Sequence, residues 1–198
     1  MADASAGRAR RATLDDVDAI VDLHAGRIAD GFLVTLGRPF LRRLYRRMVR
    51  SHRAFALVTE EGGNVCGFVA AAEDTGAFYR EFLARDGIAA GLTAIAGIAR
   101  APRAVLETMR YGLRGNEDAP AAEIMAIAVG ADVERRGLGT LLVVAAVNEL
   151  RQRGVTSARV VTAVGNVAAI RAYELGGFRQ HGFDQVHRDV TQQVLVWP

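Results

Sequence analysis

One stretch limits what this chain can fold into. Ile124, Met125, Ala126, Ile127, Ala128 and Val129 form an unbroken apolar run. That is the pattern of a strand buried on both faces. Asp132-Val133-Glu134-Arg135-Arg136-Gly137-Leu138-Gly139-Thr140 follows. Apolar residues then recur at helical spacing to residue 150, with Leu138, Leu141, Leu142, Ala145 and Ala146 on one face. The order is strand, basic glycine-containing turn, helix. Such a turn points backbone N–H groups and a helix N-terminus at one spot, which suits a phosphate. Gly137 and Gly139 permit close backbone approach there, and Arg135 and Arg136 add positive charge.

Two familiar phosphate motifs are excluded. A P-loop needs a lysine, and the chain has none; all 25 of its basic residues are arginines. The third glycine of a dinucleotide fingerprint would fall on Leu142. Alone, a G-x-G before a helix often marks only a turn, so its surroundings must decide.

The 198 residues suffice for one domain with a real core, and 51% hydrophobic with 24% charged residues is globular composition. A net charge of +3 with no arginine run interleaved with aromatics argues against nucleic acid as a partner. The single cysteine, Cys66, excludes an internal disulfide and fits a reducing cytoplasm. It lies in a strand-like run, as a structural thiol would. Residues 1–7 are small and polar and read as a disordered tail.

In chain order, residues 8–12 form a first strand and Thr13 caps a helix carrying Val17, Ile20, Val21 and His24 on one face. Residues 30–37 read as a loop. Pro39 opens a helix whose apolar side is Phe40, Leu41, Leu44, Tyr45 and Met48, with arginines opposite. Residues 55–59 and 65–72 are strands joined by the Glu61-Gly62-Gly63-Asn64 turn. Residues 75–119 are helical in three pieces: an aromatic stripe of Phe78, Tyr79 and Phe82, an apolar piece at 88–99, and a third opened by Pro102. The 12 residues of the middle piece fall short of the roughly 20 that span a bilayer. Strands at 158–163, 178–183 and 190–197 follow, with a helix from Asn166 to the Gly176-Gly177 pair.

The segments A-E-I-M-A-I-A-V before the turn and N-V-A-A-I-R-A-Y-E-L-G-G-F after the next strand resemble the GNAT superfamily of acetyl-CoA-dependent N-acetyltransferases. The opening R-A-T-L-D-D-V-D-A-I is similar to GNAT N-termini. The resemblance covers residues 8–72 and 121–197. It implies an α/β fold: a mixed, mostly antiparallel sheet flanked by helices in a single domain, residues 8–198, with 75–119 inserted between the third and fourth strands.

The resemblance also implies roles. Acetyl-CoA would be the co-substrate, with no metal. Its pyrophosphate would rest on the turn formed by Arg135, Arg136, Gly137, Leu138, Gly139 and Thr140. Its pantetheine arm would pair with backbone groups of Ile127, Ala128 and Val129, the Ile127 amide serving as oxyanion donor. Asn166 would hydrogen-bond the same arm, with a plain N-cap as its alternative. Tyr173, in the matched N-x-x-A-x-x-x-Y-x-x-x-G-F pattern, would bind near the CoA sulfur and protonate the leaving thiolate; its alternative is a core aromatic. Glu123, 14 residues before Gly137, is placed like the general base of the histone-type enzymes; its alternative is a strand-edge charge. Phe32 and Leu33 would border the acceptor, and Phe78, Tyr79 and Phe82 would line a pocket beneath an inserted lid.

One departure stands out. Glu134 occupies a position where the family pattern begins with Gln or Arg. A carboxylate aimed at a pyrophosphate repels it, so Glu134 must turn away with Arg135 or Arg136 compensating, or CoA affinity falls.

The expected activity is acetyl transfer to a primary amine of a small molecule, an amino sugar or another metabolite, by direct attack. The alternatives are a protein or peptide amine as acceptor, and a non-catalytic acyl-CoA-binding regulatory module. The expected setting is cytoplasmic, without nucleic acid or a transmembrane segment. The insertion packs either on its own domain or on a second subunit, which would make a homodimer.

Overall fold

The computed structural model describes residues 8–28, 32–100, 119–134, 136–187 and 190–198. Arg135, the tail at 1–7 and the helical piece opened by Pro102 lie outside them.

Seven strands are described: β1 Arg10–Arg11, β2 Ala54–Glu61, β3 Asn64–Ala72, β4 Ala122–Val129, β5 Ala158–Ala163, β6 Arg179–His187 and β7 Val190–Trp197. They form one sheet in the order β1-β2-β3-β4-β5-β7-β6. Only β4 and β5 pair in parallel; every other neighbouring pair is antiparallel. The local chemistry explains the hairpins. Gly62 and Gly63 both take positive φ, 58° and 79°, in the two-residue turn between β2 and β3.

Among the described residues, six helices flank the sheet: α1 Val17–Arg27, α2 Phe32–Thr35, α3 Arg38–Arg50, α4 Thr75–Arg100, α5 Leu138–Gln152 and α6 Val167–Leu175. On one sheet face, Val17, Ile20, Leu41, Leu44, Met48, Phe78 and Phe82 pack against Ala56, Val58, Phe68 and Ala70. On the other, Leu142, Val143, Ala146, Leu150, Tyr173 and Phe178 cover Phe55, Val69, Ile124, Val160 and Leu195. The sheet is thus a middle layer, with α1, α3 and α4 on one side and α5 and α6 on the other.

Three local expectations are revised. The anticipated loop at 30–37 contains the short helix α2. Strand β6 continues to His187, past residue 183. The first two helical pieces of the insertion are one helix, α4, 26 residues long and running through Gly87 and Gly91. Neighbouring turns of a long helix tolerate a glycine at about 1 kcal/mol each when one face is packed. That face is packed: Phe78 and Phe82 are buried, and Phe82 meets Phe40 edge-on at 5.6 Å. Arg47 binds Asp86 at 2.6 Å and Ser51 binds Glu81 at 2.8 Å, tying α3 to α4. The first half of α4 is therefore core structure rather than a movable lid. Its second half turns Ile88 and Leu92 outward, 88% and 66% exposed. No described helix is long and apolar enough to cross a membrane.

Candidate active site

The parallel pair at the centre of the sheet stops early. The register runs Ala122↔Ala158, Glu123↔Arg159, Ile124↔Val160 and goes no further. Yet β4 continues to Val129 and β5 to Ala163. The two strands therefore part beyond Ile124. On the other edge of β4, the register to β3 shifts between Ala70 and Ala71, leaving Met125 as an extra residue. A bulge of this kind bends the strand that carries it, and it falls where the parting begins.

Backbone direction follows from one bond. The Gly130 N–H donates to the Cys66 carbonyl at 2.8 Å, so Gly130 faces β3. Alternation along an antiparallel ladder then turns the N–H and C=O groups of Ile127 and Val129 the other way, into the gap beside β5. Those of Ala128 face β3. Of the three residues expected to meet a ligand, Ile127 and Val129 have their backbone groups at the open edge and Ala128 does not.

The turn beyond β4 completes one end of the gap. Residues Ala131–Val133 make a 3₁₀ turn anchored by buried Val133. Gly137 is the N-cap of α5, at φ 79° and ψ 2°, a left-handed conformation that side chains rarely adopt. A Cβ placed there would meet nothing within 4 Å. No side chain caps α5. The N–H groups of Leu138, Gly139 and Thr140 belong to the first helical turn, where the helix itself offers no acceptor. Gly139 faces α6, where an added Cβ would lie 3.8 Å from Ala172. Donors without acceptors, at a positive helix end and beside open space, fit an anionic phosphate.

Two side-chain charges at this turn, Arg136 and Glu134, are held by neighbours. Arg136 donates to Glu61 of the β2–β3 hairpin at 2.7 Å. Between them lies a groove of about 390 Å³, lined by Glu60, Glu61, Cys66, Arg136, Gly137, Leu138 and Leu141. Glu134 turns to Arg27, the last residue of α1, and forms an ion pair with it. The carboxylate that departs from the family pattern is thus turned onto α1. Its partner is Arg27, from a helix more than a hundred residues earlier, and not Arg136, which pairs with Glu61.

Tyr173 is 4% exposed, on α6, with its ring 5.8 Å from Phe178. Burial first, and the Glu123 charge second, push its hydroxyl well above the usual tyrosine range, so it holds its proton. Among the described residues that hydroxyl has no hydrogen-bond partner. A buried, unpaired hydroxyl costs about 1–3 kcal/mol and asks for an explanation. Asn166 caps α6, its Oδ1 accepting from the Ala169 N–H at 3.2 Å. Asn166 itself is exposed.

Glu123 stands at the base of the gap. Its Oε2 accepts from Arg159 Nε at 3.0 Å, from Arg159 Nη2 at 2.9 Å and from the Thr75 hydroxyl at 3.4 Å. Tyr79 approaches from α4, its hydroxyl raised by burial and then by Glu123. Leu33 is half-buried against the α1/α3 side of the core, and the side chain of Phe32 is outside the described residues. Phe78 and Phe82 lie in the core, so of the three aromatic pocket candidates only Tyr79 reaches the site's surroundings. His24 is a packed residue. It sits 2.5 Å from the Tyr45 hydroxyl and stacks on Phe68, and burial lowers it to about 4.

Sequence reasoning missed Arg27, Glu61, Thr75 and Arg159. The Glu123↔Arg159 register could be found only by aligning β4 with β5, which share no local signal.

Residues 27–178 match the acetyltransferase (GNAT) family, and the chain belongs to that family. Over 75 residues it is 35% identical to mycothiol acetyltransferase of Rhodococcus opacus (strain B4). That match spans 37% of this chain and 23% of the relative. Ribosomal-protein-alanine N-acetyltransferase from Brucella melitensis superposes with a TM-score of 0.63 at 15% identity, over 96% of this chain and 98% of that one. Aminoglycoside acetyltransferase AAC(6')-Ib, in complex with coenzyme A and kanamycin, superposes with a TM-score of 0.57 at 18% identity, over 95% and 92%. At such identities these structures share the fold.

Proposed function

We propose that this chain transfers an acetyl group from acetyl-CoA to a primary amine of a small molecule, an amino sugar or another metabolite, by direct attack. The observation that carries this reading is the parted β4/β5 pair: an open strand edge that ends at an uncapped helix N-terminus. Residues 8–198 act as one domain in this reading, with the inserted α4 part of its core.

When bound, acetyl-CoA supplies an activated acyl thioester. The chain's own groups do the rest. The N–H groups from Gly137 to Thr140 hold the pyrophosphate, with Arg136 at the rim. Ile127 and Val129 pair with the amide-bearing arm through their backbone, as an added strand would. The Ile127 N–H is aimed where negative charge develops on the attacked carbonyl oxygen, a preorganised donor. Asn166, fixed at the start of α6, offers its amide to the same arm. Tyr173, protonated at neutral pH, gives its proton to the departing sulfur. Glu123, oriented by Arg159 and Thr75, draws the acceptor ammonium to the base of the gap and takes its proton through the remaining oxygen. Leu33 and Tyr79 border that acceptor end.

Calorimetry with CoA, and release of free CoA in the presence of a panel of amines, test the reading. Gly137→Asp puts a side chain and a charge into the open space at the turn. A loss of CoA affinity above tenfold, about 1.4 kcal/mol, is expected in the folded variant. Unchanged affinity removes the assignment. Turnover with peptides and none with small amines would move the acceptor to a protein. Binding without any turnover would make the chain a regulatory module.

A further inference from the structure

The phosphate turn carries a glutamate where a carboxylate opposes the ligand, and the structure shows how its charge is handled. Glu134 leaves the 3₁₀ turn in extended conformation, φ −58° and ψ 155°. Its carboxylate is paired by Arg27. Arg27 rides on a rigid support. The helix before it is anchored by Val17, Ile20, Val21 and His24, all buried, and Leu23 lies 3.8 Å from where a Cβ on Gly130 would stand. The end of α1 is thus fixed beside the end of β4. Across the turn, Arg136 is drawn the other way, to Glu61. The two described charged side chains closest to Gly137 in sequence therefore point to opposite flanks, each neutralised by a different element.

We infer that Arg27 is a positioning residue for CoA: it turns Glu134 out of the phosphate mouth and cancels its charge there. This rests on the turn being the pyrophosphate site. The ion pair is half-exposed, 40% and 45% for the two side chains, so it adds little to folding. Its effect is on the ligand. Without Arg27, Glu134 is a free negative charge within a Debye length of a pyrophosphate that carries two. In high dielectric this weakens binding by about three- to tenfold.

The test is CoA calorimetry on the wild type, Arg27→Gln, Glu134→Gln and the double variant, at about 0.05 M and about 0.5 M salt. Arg27→Gln is expected to raise the CoA Kd about three- to tenfold at low salt and clearly less at high salt. Adding Glu134→Gln should restore the affinity, because no charge is left to cancel. Competition by pantetheine, which lacks phosphates, should be the same in all four proteins. The inference is overturned if Arg27→Gln leaves the Kd unchanged. It is also overturned if the loss persists in the Glu134→Gln background, or if pantetheine is weakened equally, since Arg27 would then act on shape rather than charge. A wild type that fails to bind CoA at all refutes the cofactor site itself, which is a different result.

Discussion

Replacing Gly176 by alanine is a direct test of how α5 and α6 are joined. A Cβ built on Gly176 would lie 2.3 Å from Val143 Cγ1 and 3.3 Å from Val143 Cβ. Carbon atoms rest at about 3.5–4.0 Å, so the helices must open by more than 1 Å or Val143 must rotate. Val143 is fully buried on α5 and β-branched, and such a side chain has one strongly preferred rotamer in a helix. Overpacking of this kind costs about 1–3 kcal/mol. The backbone does not add to that, since Gly176 sits at φ −81°, and loss of glycine flexibility in the unfolded chain returns about 0.4–1 kcal/mol. The net expectation is a loss of about 1–2 kcal/mol, read as a lower urea midpoint with an unchanged m-value. Val143→Ala alone should lose about 2 kcal/mol through the two buried carbons removed. In the double variant the new methyl occupies the vacated space, so the losses should fall short of additivity by about 1 kcal/mol or more. A neutral Gly176→Ala, or strict additivity in the double variant, would show that the helices are not in this contact.

Three further outcomes follow from the site and its surroundings. Tyr173→Phe removes only an unpaired buried hydroxyl; CoA affinity should hold and the unfolding midpoint should rise, while kcat falls by about 10²-fold or more, and a near-normal kcat would leave Tyr173 a packing residue. Glu123→Gln should lower kcat with CoA affinity unchanged, and an unaltered kcat puts the base elsewhere. His24 is neutral and buried, lowered to about 4, whereas the unfolded chain takes up its proton near 6.5; its contribution is therefore full above about 6.5 and lost as pH falls to about 4, a drop of about 3 kcal/mol that His24→Phe should flatten in pH-dependent urea melts.

The sequence carried the site's backbone better than its side chains. The apolar run of β4, the glycine at the start of α5 and the Asn166-to-Phe178 pattern are local signals, and each produced its element within a few residues. The outward turn of the Ile127 and Val129 backbone groups needs only strand direction, so it too was legible. Charge pairing was not. Arg27–Glu134, Arg136–Glu61 and Glu123–Arg159 join residues 107, 75 and 36 positions apart, and nothing local marks such partners. Phe78 and Phe82 failed for a related reason. An aromatic stripe at helical spacing states that one side of a helix is apolar, not whether it meets a pocket or another helix; α3 decided that. The break expected between the aromatic stripe and the apolar piece at 88–99 does not occur, because packing on α3 carries one helix through Gly87 and Gly91.

The placement of α4 has a kinetic consequence. Strands β2 and β3 are joined by two residues, but β3 and its other neighbour β4 are separated by residues 73–121, a span of 49. Closing that span instead of a two-residue turn adds about 3 kcal/mol of chain entropy, at about 0.6 kcal/mol for each doubling of length. The β2–β3 and β6–β7 hairpins can form early from local contacts, while β4 must wait to be threaded between β3 and β5. The strand that carries the open edge is thus the last piece set into the sheet. Conservative truncations along it, such as Ile127→Val, should accelerate unfolding and leave the refolding rate nearly unchanged; a matching slowdown of refolding would place β4 in the nucleus instead.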